Sequence, residues 1–272
     1  MVELIYAEYL CLSALFLSKG GLKMKYGYLL NAWINEGVPI PIVLDFGTHM
    51  HMLLTGSSGS GKSYALIYLL GMLIKNGIEN IVFCDFKNSD DFRFLSGYSR
   101  YYTGDSTYDG IMSYYDDFVI TRQSGNVNGY HLLILDEYPA FISYLATKDK
   151  LEKTKRAVEI QLAISEILML GRGIGFGCWI TTQRADASLF ANGSRDNFMI
   201  VCALGRLSKE QRLMVFSGED IPTDTIYQKG EGLLLADGKE LMEVKFPMII
   251  DLGDWNTHIR QTLLSSDENT EV

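Results

Sequence analysis

A short run of glycine and serine residues that ends in Lys-Ser constrains the fold of this chain more than any other feature. Residues 56–63 read GSSGSGKS and fit the pattern GxxxxGK[ST]. They follow the apolar run 50–55 and lead into residues 62–75, which we predict to be a helix closed by an Asn-Gly pair. A Gly/Ser turn between a strand and a helix is the simpler alternative. In this position, however, small residues let successive N–H groups and the helix N-terminus face phosphate groups, which favours a nucleotide-binding loop.

The predicted loop gives roles to individual side chains. Lys62 can reach the β- and γ-phosphates, and the hydroxyl of Ser63 is a ligand for Mg²⁺. ATP and Mg²⁺ are therefore the expected cofactors. The loop residues predicted to bind the nucleotide are Gly56, Ser57, Ser58, Gly59, Ser60, Gly61, Lys62 and Ser63.

A second apolar run ends in two carboxylates. Residues 131–137 read HLLILDE, so Asp136 and Glu137 follow a strand-like segment. Taken alone, such a pair is most simply a strand-to-helix turn with an acidic N-cap. In a chain that also carries the phosphate loop, Asp136 is expected to bind the nucleotide through Mg²⁺, and Glu137 is expected to polarise the attacking water.

A third apolar run ends in polar residues. Residues 179–184 read WITTQR. Ligands of parallel sheets bind at the carboxyl ends of the strands, so we predict that Gln183 senses the γ-phosphate or positions water. The alternative is a solvated loop residue.

The succession of apolar and helical segments predicts an α/β fold with a mostly parallel central sheet flanked by helices. Apolar runs without alternation indicate strands that are covered on both faces. Strands are expected at residues 40–46, 50–55, 81–86, 131–135, 176–182 and 198–204, with a hairpin of 232–236 and 241–246 around an Asp-Gly turn. Helices are expected at 62–75, 105–123 and 151–170, with a short one starting at Ser208.

Composition limits the kind of protein this is. The 272 residues include 33 acidic and 24 basic side chains, and the resulting net charge of −9 excludes a generally basic coat for nucleic acid. DNA could then be bound only by a local basic lining. A hydrophobic fraction of 47% excludes a wholly disordered chain. The four cysteines form no CxxC pair, so buried thiols are expected rather than a zinc site or disulfides.

We expect three regions along the chain. Residues 1–36 are predicted to be an N-terminal helical appendage, 37–250 the ATPase domain, and 251–272 a C-terminal extension with a disordered acidic tail. The apolar residues 1–17 include Glu3 and Glu8 and lack a basic n-region, so neither a membrane span nor a signal peptide is expected. The expected location is the cytoplasm, with peripheral contact at the inner face of the membrane as the alternative.

In this order, the segments resemble those of the HerA–FtsK superfamily, and more closely those of the FtsK/SpoIIIE-type DNA translocases and related coupling ATPases of conjugative elements. The resemblance covers roughly residues 38–250, and it is carried by HMLLTGSSGSGKS, CDFKNSD, LLILDEYP, GRGIGFGCWITTQRADA and SRDNFMIVCALGRLSKEQRLMVF. It implies a RecA-like P-loop domain that hydrolyses ATP and moves double-stranded DNA as a homo-hexamer. The alternative is a coupling protein that recruits a DNA–relaxase complex to a membrane channel and uses ATP as an assembly switch.

The resemblance also implies roles for residues outside the loop. Asp85 and Lys87 match the acid and the lysine of the family's Asp-Pro-Lys segment, with Phe86 in place of the proline. Gln183 and Arg184 match the Gln-Arg pair that follows the sensor strand.

Two arginines match positions that are commonly basic in the family. They are Arg172 and Arg212, and one of them is expected to act as an arginine finger in a neighbouring subunit. A surface or structural role is the alternative for each.

Two basic groups are candidates for contacts with DNA, because basic side chains neutralise phosphates and aromatic ones stack on bases. A solvated helix face and a loop at the edge of the core are the respective alternatives. The first group is Lys148, Lys150, Lys153, Lys155 and Arg156; the second is Arg93 and Arg100 near Tyr98, Tyr101 and Tyr102.

Overall fold

The computed structural model describes residues 21–183, 196–221 and 225–268, and within them ten strands form a single sheet. The strands are β1 (Lys23–Leu29), β2 (Pro41–Asp45), β3 (Met52–Gly56), β4 (Asn80–Asp85), β5 (Tyr101–Thr103), β6 (His131–Asp136), β7 (Phe176–Thr182), β8 (Ile200–Leu204), β9 (Glu231–Ala236) and β10 (Met242–Lys245). Their order across the sheet is β2-β1-β10-β9-β8-β3-β7-β6-β4-β5.

The sheet has a parallel and an antiparallel part. The six strands from β8 to β5 pair in parallel, as crossover connections require. The strands β2, β1, β10 and β9 pair antiparallel, and β9 also pairs antiparallel with β8. The predicted α/β fold with a mostly parallel central sheet is confirmed, and the Asp-Gly hairpin joins β9 to β10 as expected.

Seven α-helices in the described residues flank the sheet, and both faces of its parallel part are covered. They are α1 (Leu30–Glu36), α2 (Lys62–Lys75), α3 (Thr107–Ser124), α4 (Tyr138–Glu152), α5 (Arg156–Leu170), α6 (Lys209–Val215) and α7 (Leu252–Glu268). Successive strand residues point to opposite faces, so Met52 and Leu54 of β3 pack in the core with α2 and α7, whereas Leu53 packs in the core with α3, α4 and α5. This double coverage explains the continuous apolar runs in the sequence. Within the described ranges, no helix is long enough and apolar enough to span a bilayer.

The helix predicted at residues 151–170 starts later than expected. The structure has a helix up to Glu152, a break in which Lys153 has φ of +57°, and a new helix from Arg156. The cause is Asp149, whose carboxylate accepts the N–H groups of Arg156 at 3.1 Å and Ala157 at 2.8 Å and so caps α5. The helix α4 was missed because its sequence lacks a clear apolar period.

The ends of the chain differ from the expected appendage and tail. Residues 1–20 lie outside the described residues, but Lys23–Leu29 is a strand of the sheet, with Met24 and Tyr26 buried, and was wrongly predicted to be helical. At the other end, the helix α7 continues through Ser265 to Glu268, so the predicted disorder is wrong for these residues; 269–272 are not described. Buried Trp255, Ile259 and Leu263 hold α7 in the core cluster that includes α2.

The cysteines that the structure describes agree with the expectation of buried thiols. Cys84, Cys178 and Cys202 are free and buried, whereas Cys11 lies outside the described residues.

Candidate nucleotide-binding site

The predicted phosphate loop connects β3 to α2 at the carboxyl end of the parallel strands. Gly59 and Gly61 have φ of +80° and +100°, a region that side chains disfavour. A Cβ on Gly61 would also lie 2.8 Å from the nitrogen of Gly230, and the N–H of Gly230 donates to Ser60 O at 2.8 Å. The glycines therefore allow both the turn and the close approach of the segment that braces it.

Lys62 lies across this loop. Its ammonium donates to the carbonyl oxygens of Gly56 at 2.7 Å and Ser57 at 3.4 Å. Burial lowers the pKa of Lys62, while the nearby carboxylates of Glu137 and Asp136 act in the opposite direction. A buried cation is thus held at the loop, where a phosphate charge would compensate it.

A threonine on β7 joins the two acidic residues of the turn between β6 and α4. The hydroxyl of Thr181 donates to Asp136 Oδ1 at 2.6 Å and accepts the N–H of Glu137 at 3.0 Å. Glu137 itself has φ of +54°, which is unusual and costly for a residue with a side chain. Such strain is common at functional sites, and here it turns the chain sharply between β6 and α4.

The Glu137 carboxylate is the point at which Gln183 and two lysines meet. Its Oε1 accepts a hydrogen bond from Gln183 Nε2 at 3.1 Å. The same oxygen lies 3.5 Å from Lys87 Nζ and 4.0 Å from Lys62 Nζ. The structure thus brings Glu137, Gln183 and the phosphate loop together, and it adds Lys87 to the group.

Asp85 and Asp136 are paired in register at the ends of the parallel strands β4 and β6. Asp85 is fully buried; its Oδ2 accepts from Ser89 N at 2.7 Å and Tyr101 Oη at 3.2 Å, whereas its buried Oδ1 has no hydrogen-bond partner among the described residues. Burial raises the pKa of both carboxyls, that of Asp136 to about 6, with a smaller contribution from the negative charge of Asp85. Burial thus disfavours the ionised form of both carboxyls, and a positive charge bound beside them would stabilise it.

These residues fit Mg²⁺. The donors at the site are oxygens, from the half-buried Ser63 hydroxyl and the Asp136 carboxylate, and the orphaned Asp85 oxygen lies in the strand beside them. The part of the chain that the structure describes has no group of three or more His, Cys, Asp or Glu side chains that could hold a metal ion by itself. Mg²⁺ does not need one, because it usually binds through one or two carboxylates together with water and substrate phosphates.

Comparison with known proteins agrees with this geometry. Residues 24–89 match the family described as the central domain of the helicase HerA. The chain is also 25% identical over 226 residues to the FtsK domain-containing protein YdcQ of Bacillus subtilis (strain 168), a match that covers 79% of this chain and 46% of YdcQ. Both matches support a relationship to the HerA–FtsK superfamily of P-loop ATPases.

Solved structures show the same fold. The conjugation coupling protein TcpA of pCW3, solved as a monomer with ATPγS, superposes with a TM-score of 0.68 and 20% identity over 90% of this chain and 72% of TcpA. The cytoplasmic domain of the type VII secretion ATPase EccC of Thermomonospora curvata gives a TM-score of 0.62 and 20% identity over 89% of this chain and 31% of EccC. The chain spans less than half the length of YdcQ, its curated relative.

The two arginines considered as fingers of this superfamily lie at opposite edges of the sheet. Arg172 is exposed and precedes β7, so a strand of seven residues, roughly 20 Å long, separates it from Gln183. Arg212 lies on α6 and donates to Leu207 O at 3.3 Å. The trans role of each stays a prediction, and Arg184 lies outside the described residues.

The two groups considered for DNA contacts differ in how their charges are compensated. In the first, Lys148 pairs with Asp105 at 2.9 Å, and Arg156 pairs with Glu152 and Asp149. Lys150, Lys153 and Lys155, by contrast, are exposed.

The side chains of the second group make contacts within the chain. Tyr98 is buried and donates to Ile81 O at 2.5 Å, and Tyr101 donates to Asp85. Arg100 donates to Asn80, and Arg93 pairs with Asp90. This arrangement favours the loop at the edge of the core over a DNA-binding surface.

Two residues that contact the site, Thr181 and Gln211, were not among those predicted for it. Thr181 is the first polar residue after an apolar run that ends beside the acids, a signal that could have identified it. Gln211 contacts the site through its amide, which donates to the Gln183 carbonyl at 3.3 Å. That contact depends on the placement of α6 and leaves no local signal.

Proposed function

We propose that this chain is an ATP-dependent motor that moves double-stranded DNA. The observation that carries the hydrolytic part is the Glu137 carboxylate, which is held by Gln183 within 4.0 Å of the phosphate-loop lysine. A base at this point is close to the position of the γ-phosphate, since the lysine of such a loop reaches the β- and γ-phosphates.

Individual residues have defined tasks in this proposal. Ser63 and Asp136 hold Mg²⁺, which neutralises phosphate charge when it is bound. Glu137 accepts a proton from the attacking water, and Gln183 keeps its carboxylate oriented. Thr181 fixes the turn by its two hydrogen bonds, so that Asp136 and Glu137 keep their separate roles.

The DNA part of the proposal is supported by the superfamily and by a local excess of positive charge. Lys150, Lys153 and Lys155 are exposed around the break between α4 and α5. Each lysine that neutralises a phosphate adds about one unit to the slope of log affinity against log salt.

Assembly of a homo-hexamer would give the exposed Arg172 a function. This arginine is remote from the phosphate loop of its own chain, so it can act only on a neighbour's nucleotide. The half-buried Arg212 is the second candidate. Mixing an Arg172→Ala or Arg212→Ala protein with a Lys62→Ala protein is expected to restore activity if that arginine acts in trans, and to leave both inactive if it does not.

A coupling role is the second candidate. It is favoured by the similarity to TcpA, which extends over 90% of this chain. In that role the chain, at the inner face of the membrane, links a DNA–relaxase complex to a channel, and ATP binding controls assembly.

Steady-state ATP turnover with and without duplex DNA tests the proposal. A motor is expected to hydrolyse ATP faster with duplex DNA and to displace a bound strand, and Glu137→Gln is expected to abolish both activities. Glu240→Gln is the matched control, because Glu240 is exposed beside the Asp-Gly hairpin at the opposite edge of the sheet. Slow turnover that duplex DNA does not change, together with tight relaxase binding, would instead support the coupling role.

A further inference from the structure

The segment that follows β10 exposes large apolar side chains at alternate positions. Met248 is 84% exposed and Ile250 is 59% exposed, whereas Ile249 between them is half-buried against the core. Single exposed apolar residues are common on proteins, but neighbouring ones that share a side of the chain indicate a binding surface.

This segment lies directly beside the phosphate loop. The N–H of Ile249 donates to the hydroxyl of Tyr64, the residue that follows Ser63 at the start of α2. The N–H of Phe246 donates to Gly230 O at 2.9 Å, and Gly230 in turn braces the loop through Ser60. The chain after β10 is therefore tied to both the loop and the helix that the loop opens.

The strand order gives the direction in which a bound nucleotide extends. β7 and β6, which carry Gln183 and Glu137 at their ends, lie on one side of β3. β8, β9 and β10 lie on the other side, and Met248 and Ile250 follow β10. The terminal phosphate belongs beside Glu137, so the nucleoside end of the same molecule points toward β8–β10.

We infer that Met248 and Ile250 form the subsite for the nucleobase of the bound nucleotide. This inference rests on the proposed nucleotide-binding function. A purine base has flat, weakly polar faces, and covering one face with two aliphatic side chains removes apolar surface of both partners from water. Tyr64 is a positioning residue, because its hydroxyl fixes the backbone between the two apolar side chains.

Two probes separate this subsite from the phosphate loop. ADP carries the base, whereas inorganic tripolyphosphate carries only the phosphates. For the variant Met248→Ser/Ile250→Ser, calorimetric titration in the presence of Mg²⁺ is expected to show about tenfold weaker binding of ADP, which corresponds to about 1.4 kcal/mol. The affinity for tripolyphosphate is expected to stay that of the parent chain.

A matched control is Ile120→Ser, since Ile120 is 63% exposed on α3, at the opposite face of the sheet. It is expected to change neither affinity. Equal losses for ADP and tripolyphosphate in the double variant would overturn the inference, because the segment would then only support the loop. Unchanged ADP affinity would also overturn it; a smaller oligomer in light scattering would then identify a contact between protomers. Failure of the parent chain to bind either probe would refute the proposed nucleotide-binding function itself.

Discussion

Replacing the buried Asp136 by asparagine is expected to stabilise the nucleotide-free chain while weakening its function. The Asp136 carboxyl is 8% exposed, and burial raises its pKa from 3.8 to about 6. At pH 7.5 its ionisation is therefore about 3 kcal/mol less favourable in the folded chain than in the unfolded one. The amide of asparagine avoids this penalty, and its Oδ1 still accepts the hydroxyl of Thr181.

The net gain is smaller than the penalty, because the new amide N–H groups are buried as well. Allowing roughly 1–2 kcal/mol for this cost, we expect the free energy of unfolding to increase by about 1–2 kcal/mol at pH 7.5. For a chain of this size the increase corresponds to a rise of about 2–4 °C in the melting temperature.

The pH dependence identifies the cause. An acid whose pKa is raised in the folded state destabilises the protein progressively as the pH rises from its unfolded pKa to its folded one. At pH 5 the penalty of Asp136 falls to about 1.6 kcal/mol, so the gain of the asparagine variant is expected to be about 1.4 kcal/mol smaller than at pH 7.5.

Urea unfolding at pH 5 and pH 7.5 measures this difference, with a chelator present and without nucleotide. Asp105→Asn is the control of opposite sign: the hydrogen bonds from Tyr144 and Lys148 lower the pKa of Asp105, so its substitution is not expected to stabilise the chain. A gain for Asp136→Asn that is the same at both pH values would refute the argument from desolvation. Retention of Mg²⁺-dependent ATP affinity in this variant would remove Asp136 from the nucleotide site.

Four further variants, together with one control, test the site and the surface. Lys62→Ala is expected to abolish ATP binding in a filter assay, whereas Glu137→Gln is expected to bind ATP normally but to lose turnover; wild-type turnover in the latter would exclude Glu137 as the base. Thr181→Val removes two hydrogen bonds and is expected to cost roughly 1–3 kcal/mol of stability and at least tenfold in turnover. Thr107→Val removes a buried hydroxyl that has no hydrogen-bond partner among the described residues and is expected to leave turnover unchanged; equal effects would contradict the positioning role. Changing Lys150, Lys153 and Lys155 together to alanine is expected to flatten the salt dependence of duplex binding by up to about three units of slope, and an unchanged slope in a fluorescence titration would make them solvated lysines.

Much of the site was predictable because its signals are local. Gly61 is one of the two glycines that the loop pattern fixes, for a steric reason that holds in any fold. Asp136 directly follows an apolar run, Glu137 comes next, and Gln183 lies three residues after another such run. Parallel strands carry their carboxyl ends to one edge of a sheet, so the fold class was enough to predict that these residues meet.

The remaining features depend on contacts between segments that are distant in the sequence. The break before Arg156 follows from a cap by Asp149, and β1 became a strand because β2 and β10 pair with it on both sides. Helical and strand patterns look alike in short apolar runs, so neither boundary had a decisive local signal.

The phosphate loop, the acids and the parallel sheet could be predicted from residue type and spacing along the chain. Three contacts follow from the three-dimensional arrangement instead: Lys87 and Gln183 share one oxygen of Glu137, Thr181 connects the two acids, and the segment after β10 lies beside the loop. The physical reason is that hydrogen bonds and ion pairs act over a few ångströms, and the order of strands in the sheet, rather than the order along the chain, decides which side chains come that close.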